Sequence, residues 1–349
     1  MRINAFDYFR AVAILFIVSG HSFNPNTVTT FSEKVLANLV TGGTALFVFI
    51  SGFFFHYVFY KKFEYRTFIV KKMKYVFLPY LLLSTLGFLL LAFYFDRLPF
   101  SYLFISGKPT DWMQYVQLYF QYLWTGRLFI AYWYIPFVIS MFILSPVFIK
   151  QIQLSNLIQL VIILLLFCVS AIVLRPLHNL SPIHSALYFL PVYMLGIFVS
   201  INKERVLQLL RGKALFLGIC VLLLAVLQVL IYDSIGNMHK ESIFVFEKFD
   251  IMIWQKVLMC FFFMSLLDKL EDKEIPALKY LAETSFAIFF IHPWVFFFYG
   301  YYSIYKPLSF LSSSMFTLFN IVTAIVISVI IAKFLKLIFR RNSRLIIGY

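Results

Sequence analysis

The chain has 349 residues, 62% of them hydrophobic and 13% charged, with a mean hydropathy of +0.89. A soluble domain of that balance would lack the polar surface to cover itself, so the composition points to a bilayer. The net charge of +15 would suit a nucleic-acid binder, but the basic residues are distributed loop by loop, which favours membrane topology over nucleic acid.

In chain order, about ten apolar stretches are long enough to cross roughly 30 Å of hydrocarbon as helices: 6–26, 38–60, 75–95, 128–149, 156–174, 186–201, 213–232, 248–267, 279–300 and 313–338. Each is continuously apolar, whereas barrel strands alternate over ten or so residues. The expected fold is therefore an all-α membrane protein, a bundle of about ten transmembrane helices. The first stretch has no A-x-A-like cleavage site and carries Asp7, Arg10 and His21, so it is expected to stay as helix one. Without a repeat of 20–50 residues or a low-complexity tract, 1–349 reads as a single membrane domain with no soluble domain.

With a cytoplasmic N-terminus, Lys61, Lys62, Arg66, Lys71, Lys72 and Lys74 share one inner loop. Lys203, Arg205, Arg211 and Lys213 share another, and Lys269, Lys273 and Lys279 a third. Lys333, Lys336, Arg340, Arg341 and Arg344 close the chain on that side, which with Arg2 and Lys150 holds twenty of the 30 Lys and Arg residues. Eight fall outside: Lys34, Arg97, Lys108, Arg127, Arg175, Lys240, Lys248 and Lys306. The asymmetry places both termini in the cytoplasm. Cys168, Cys220 and Cys260 lie in separate apolar stretches and are expected as free, buried thiols, with no disulfide and no metal site.

An ionisable side chain at membrane depth costs several kcal/mol and needs a partner, a wet cavity or a task. Arg10 and His21 are eleven residues apart, close to three helical turns, which puts them on one face about 16 Å apart along the axis. Asp7, one turn before Arg10, is placed to pair with it. The bland alternative is a snorkelling Arg10 and a His21 bonded to a neighbouring carbonyl. Lys256 lies near the middle of the eighth stretch with Asp250 about a turn and a half away, placed for a cavity or for a structural ion pair. His56 reads as structural.

The opening Phe6-Asp7-Tyr8-Phe9-Arg10, followed by Gly20-His21-Ser22-Phe23, resembles the start of the acyltransferase-3 family of bacterial membrane acyltransferases. Gly42-Gly43 with Leu46-Phe47-Val48-Phe49-Ile50-Ser51-Gly52-Phe53 resembles its second helix, and Lys71-Lys72-Met73-Lys74-Tyr75-Val76-Phe77-Leu78-Pro79-Tyr80 the basic segment entering its third. Ala131-Tyr132-Trp133-Tyr134 resembles its fourth, and Ser285-Phe286-Ala287-Ile288-Phe289-Phe290-Ile291-His292-Pro293 its late His-Pro helix. The basic segment departs from the family in carrying Lys71 and Lys72 where arginines are common, with Lys74 one place before the usual third position, now Tyr75. Lysine attracts phosphate as a point charge but lacks the bidentate fork.

The resemblance implies an acyl-CoA donor, most simply acetyl-CoA, from the cytoplasm and a carbohydrate acceptor, a polysaccharide or lipid-linked saccharide, in a multi-pass bacterial inner-membrane enzyme. His21 is then the expected general base, because an imidazole exchanges protons near neutral pH; Arg10 orients the donor or offsets charge, and Asp7 holds Arg10. Direct attack by the hydroxyl and a covalent acyl-histidine both stay open. Lys71, Lys72 and Lys74 are expected at the donor phosphates, or serve topology only, with Trp133 as a wall for either substrate or as core. Lys256, His292, Trp112 and Tyr115 are lesser candidates for substrate binding. The Pro293 beside His292 suggests a kinked structural element. Trp112 and Tyr115 belong with Tyr102, Tyr119, Tyr122 and Trp124 to a long outer connection, 96–127, readable as an interfacial belt or as a platform for sugar rings. Asn24, Asn26, His178, His184, Asp233, Asn237 and His239 suit a polar mouth or ordinary solvated loops. A succinyl donor, a transporter or flippase of a lipid-linked sugar or acyl group, and self-association into a homo-oligomer stay open.

Overall fold

The computed structural model describes residues 3–23, 28–245, 248–304 and 313–349; Arg2, Asn24, Asn26 and Lys306 lie outside them. The helices are α1 (Asn4–Ser22), α2 (Phe31–Val40), α3 (Thr44–Phe54), α4 (Tyr65–Lys72), α5 (Leu78–Leu89), α6 (Trp112–Thr125), α7 (Tyr134–Ile143) and α8 (Ser145–Ile152) in the first half. The second half supplies α9 (Asn156–Val173), α10 (Pro182–Ile201), α11 (Lys203–Leu210), α12 (Ala214–Tyr232), α13 (Ile251–Leu267), α14 (Pro276–Tyr301), α15 (Ser313–Phe339) and α16 (Ser343–Ile346).

Among the described residues, eight helical runs are long and apolar enough to cross a membrane, and nine if the pair α7 and α8, bent by 55°, counts as one span. The expected ten is thus approximate. The stretch 128–149 does not run straight: helix begins only at Tyr134 and breaks before Pro146, where a proline cannot continue the backbone ladder. The connection 96–127 contains α6, whose Trp112, Phe120 and Trp124 are exposed. Large apolar side chains such as Leu165, Leu215, Leu230 and Leu337 also face outward, as spans do when lipid replaces water around them. Of the cysteines only Cys260 is buried; Cys168 is exposed and Cys220 half-buried, all three with free thiols, because α9 and α12 turn most of their surface outward.

Two close contacts fix the middle of the bundle. The helices α3 and α10 cross at Gly52 and Gly196: a Cβ on Gly52 would stand 2.0 Å from the Tyr193 carbonyl oxygen, and one on Gly196 would stand 2.1 Å from that of Phe49. Small residues at such a crossing let two backbones touch, the main source of helix association in lipid. The central helix α1 packs on α14, α15, α3 and α13, and its first turn is tied down by Glu271, whose carboxylate accepts from the amides of Asn4 (3.2 Å) and Ala5 (2.7 Å). That contact brings the N-terminus to the turn between α13 and α14, beside Lys269 and Lys273. On the same face Arg344 of α16 stacks on Tyr75 ahead of α5, so the basic segments gather at one end of the bundle. At the opposite end, Arg175–Pro176 (β1) and His239–Lys240 (β2) form a two-residue parallel ladder with Arg175 opposite His239.

Candidate active site

His21 sits in the last turn of α1, at the end of the bundle away from the basic segments. Its Nδ1 is 3.0 Å from Nε2 of His292 on α14, within the range of a hydrogen bond, and the two rings lie within 6° of parallel with centroids 5.3 Å apart. The other nitrogen of His292, Nδ1, is 2.8 Å from the Ile288 carbonyl oxygen. A carbonyl only accepts, so His292 carries its proton on Nδ1 and presents a lone pair at Nε2. His21 must then donate from Nδ1. This leaves Nε2 of His21 as its basic nitrogen, the tautomer set by its direct partner His292 and by the Ile288 carbonyl behind that.

His21 lines a cavity of about 210 Å³ together with Gly42 and Gly43 at the α2–α3 junction, Arg127 and Trp133 before α7, Arg175 from the ladder, and Asn237. That is below the roughly 300–1,000 Å³ of most small-molecule sites, so it has room for the reacting ends of two substrates, with the bulk of each outside. Its rim carries the exposed side chains of Ile130 and His239. The Gly42-Gly43 junction is forced by proximity: a Cβ on Gly43 would lie 2.8 Å from the Phe16 backbone, one turn or so before His21.

The strongest charges in the cavity are two guanidinium groups. Arg127 lies over the Phe100 ring at 4.1 Å, and Arg175 over Trp133 at 4.8 Å and Phe189 at 5.6 Å. Burial pushes the Arg127 guanidinium down to about 10 and lowers that of Arg175 too, yet both stay cationic at neutral pH. At the rim, desolvation and then the Arg175 charge lower His239 below the ordinary histidine range.

The expected site residues divide into three groups. His21, His292 and Trp133 come together, with Trp133 on the cavity wall. Asp7 and Arg10 form an ion pair at 3.1 Å near the other end of α1 and do not line the cavity. The lysines are also at that far end: Lys72 points its ammonium at the rings of Phe59, Phe68 and Phe142 at 4.7, 5.2 and 4.6 Å, Lys74 lies over Tyr75, and Lys71 is exposed. Trp112 is 70% exposed and Tyr115 packs on Phe93, neither at the cavity. Lys256 makes no ion pair with Asp250. Its ammonium donates to the Asn38 carbonyl at 2.9 Å, while Asp250 accepts from Tyr188 (2.7 Å), Asn237 (3.3 Å) and the Met252 amide (2.8 Å). His56 bonds Ser200 at 2.9 Å.

Asn237 figures in the sequence reading as a residue of a polar mouth or of an ordinary solvated loop; Arg127 and Arg175 carry no site role there and count only among the eight basic residues off the basic side. Their signal is that exception itself, strongest for Arg175, which follows an apolar span directly and precedes Pro176.

The acyltransferase-3 family model, described as an acyltransferase domain, matches residues 3–333. No curated protein and no solved structure matches the chain.

Proposed function

This chain belongs to the acyltransferase-3 family, and we propose that it transfers an acyl group, most simply acetyl from cytoplasmic acetyl-CoA, to a hydroxyl of an exported or surface polysaccharide. The basic face is the cytoplasmic one in this reading, the membrane is the bacterial inner membrane, and the His21 cavity opens towards the far side. The observation that carries the proposal is the hydrogen-bonded line His21–His292–Ile288 ending in a cavity.

In the direct version, Nε2 of His21 takes the proton of the acceptor hydroxyl while that oxygen attacks the thioester carbonyl carbon. The carbon–sulfur bond then breaks, and the departing thiolate recovers the proton from His21. His292 keeps Nδ1 of His21 occupied throughout, so the ring cannot turn its protonated nitrogen to the acceptor. The same Nε2 is also the nitrogen that would carry a covalent acyl group. Lys71 and Lys74 remain the proposed attraction for the donor phosphates, through charge at the mouth.

The test is transfer from labelled acetyl-CoA by the purified protein in detergent or nanodiscs. Transfer by the wild type and its loss in a folded His21→Ala variant is the expected result. Normal transfer by that variant removes His21 from the chemistry, and acyl-protein trapped without acceptor replaces direct attack by the two-step route.

A further inference from the structure

Arg127 and Arg175 are respectively 6% and 8% exposed, and among the described residues neither forms an ion pair. The Nε of each is buried without a hydrogen-bond partner, and the one side-chain bond either makes is from Arg175 Nη2 to the neutral Asn179 oxygen at 2.8 Å. Among the described residues no Asp or Glu lines the cavity. The buried carboxylate of Asp250 already accepts from a tyrosine, an asparagine and an amide. The Asp250 charge acts on Arg175 from a distance, without an ion pair; two buried cations with no paired anion are expensive, and stacking on Phe100, Trp133 and Phe189 offsets only part of that cost. Stacking also uses the faces of the guanidinium groups and leaves their N–H edges available, the edges that bind carboxylate or phosphate.

The backbone around Arg175 is strained towards this arrangement. Leu174 has φ +58° and ψ −178°, a conformation that is essentially glycine's, and His178 and Asn179 follow at φ +52° and +54°. Such outliers persist only where surrounding structure over-determines them, and they cluster at binding sites. Here they bring Arg175 into the ladder, where its amide donates to the Met238 carbonyl, and turn Asn179 back onto its guanidinium.

We infer that Arg127 and Arg175 form an anion subsite in the His21 cavity, holding a carboxylate or phosphate carried by one of the two reacting ends. The inference rests on the acyl-transfer reading only for what carries the anion: an acidic sugar acceptor, or a dicarboxylic acyl group such as succinyl. In that reading the phosphates of the CoA itself stay at the basic face, the opposite end of the bundle from Arg127 and Arg175, and are not the source.

Binding tests the subsite apart from catalysis. Titration of the full-length protein in nanodiscs with glucuronate and glucose 1-phosphate, against glucose, should give saturable binding of an acidic sugar at least tenfold tighter than glucose and weakened by salt. Succinate against 1-butanol is the matched pair for the acyl source. Arg127→Gln and Arg175→Gln should each weaken the preferred anion tenfold or more, and Arg175→Lys, which keeps the charge but not the fork, should recover part of the loss in a protein that elutes as wild type. Equal binding of charged and neutral probes in both pairs, or anion binding indifferent to both arginines, overturns the subsite whether or not acyl transfer is observed. Transfer assays then assign the source: acetyl-CoA working best on acidic acceptors marks the sugar, and succinyl-CoA outperforming acetyl-CoA on a neutral acceptor marks the acyl group. Absence of transfer from either donor with anion binding intact would overturn the acyl-transfer reading and leave the subsite standing.

Discussion

His292 accepts a hydrogen bond from Nδ1–H of His21 across 3.0 Å and donates its own Nδ1–H to the Ile288 carbonyl at 2.8 Å. A buried histidine on α14 thereby dictates which nitrogen of a histidine on α1 is basic. A histidine in this place supplies orientation without the fixed negative charge that a carboxylate would bring, so the imidazolium formed at His21 is held in position but less stabilised.

If that orientation matters, His292→Ala should lower kcat for acyl transfer by about 100-fold or more with KM for both substrates nearly unchanged. The pH profile should shift as well, because His21 would lose the acceptor that fixes its tautomer. His292→Gln, which can offer an oxygen to Nδ1 of His21, should recover part of the rate. A kcat near wild type in a folded His292→Ala protein would show the pair to be packing only.

The α3–α10 crossing should be intolerant of a single methyl group. Gly52→Ala and Gly196→Ala place carbon on top of a carbonyl oxygen of the partner helix, and overpacking of this kind costs about 1–3 kcal/mol. Thermal unfolding in detergent should show a clearly lower Tm for each. Gly300→Ala, where a Cβ would meet nothing, is the control and should leave Tm unchanged.

The bundle was legible in the sequence because continuous apolar runs and charge asymmetry are local signals, and helical spacing alone put Arg10 and His21 on one side of α1. What escaped was long-range. The pairing of His21 with His292 spans 271 positions, and nothing in either segment announces it beyond the presence of a histidine in each of two apolar stretches. Arg127 and Arg175 looked like loop residues because charge counting is blind to whether a loop folds back over the bundle. For Arg10, the pairing with Asp7 follows from three-residue spacing, whereas its distance from the His21 cavity does not, because a shared face some 16 Å long does not make a shared site. The neighbours of Lys72 in the chain suggest the donor phosphates or topology only, and nothing local shows that Phe142, far away in sequence, helps to enclose its ammonium.

Lys256 should prove dispensable for chemistry. Its ammonium is buried without a carboxylate partner, and its hydrogen bond goes to the Asn38 carbonyl, which Gln255 also serves from 3.2 Å. Lys256→Met keeps the stem that packs beside Gly42 and removes a buried charge that is costly to desolvate, while Gln255 still donates to the Asn38 carbonyl. The expected outcome is a Tm no lower than wild type and transfer within about threefold, the range of a modest geometric disturbance of about 0.6 kcal/mol. A large fall in kcat at unchanged Tm would return Lys256 to the reaction.

The lysines of the basic segment should separate into two kinds. Lys71 and Lys74 are exposed, so Lys71→Gln with Lys74→Gln should raise KM for acetyl-CoA several-fold and flatten its dependence on salt, while Tm stays put, because charge at an exposed mouth acts through screened attraction. Lys72 is different: its ammonium faces three aromatic rings, each within 5.2 Å, and cation–π contacts of this kind are worth about 0.5–2 kcal/mol. Lys72→Gln should therefore lower Tm and leave the salt dependence of KM as it is in the wild type. Steady-state kinetics at two ionic strengths, paired with thermal unfolding, separate the two effects. A Lys72→Gln protein with normal Tm and a raised KM for acetyl-CoA would mean that the aromatic enclosure opens when the donor binds, and that Lys72 is a phosphate ligand after all.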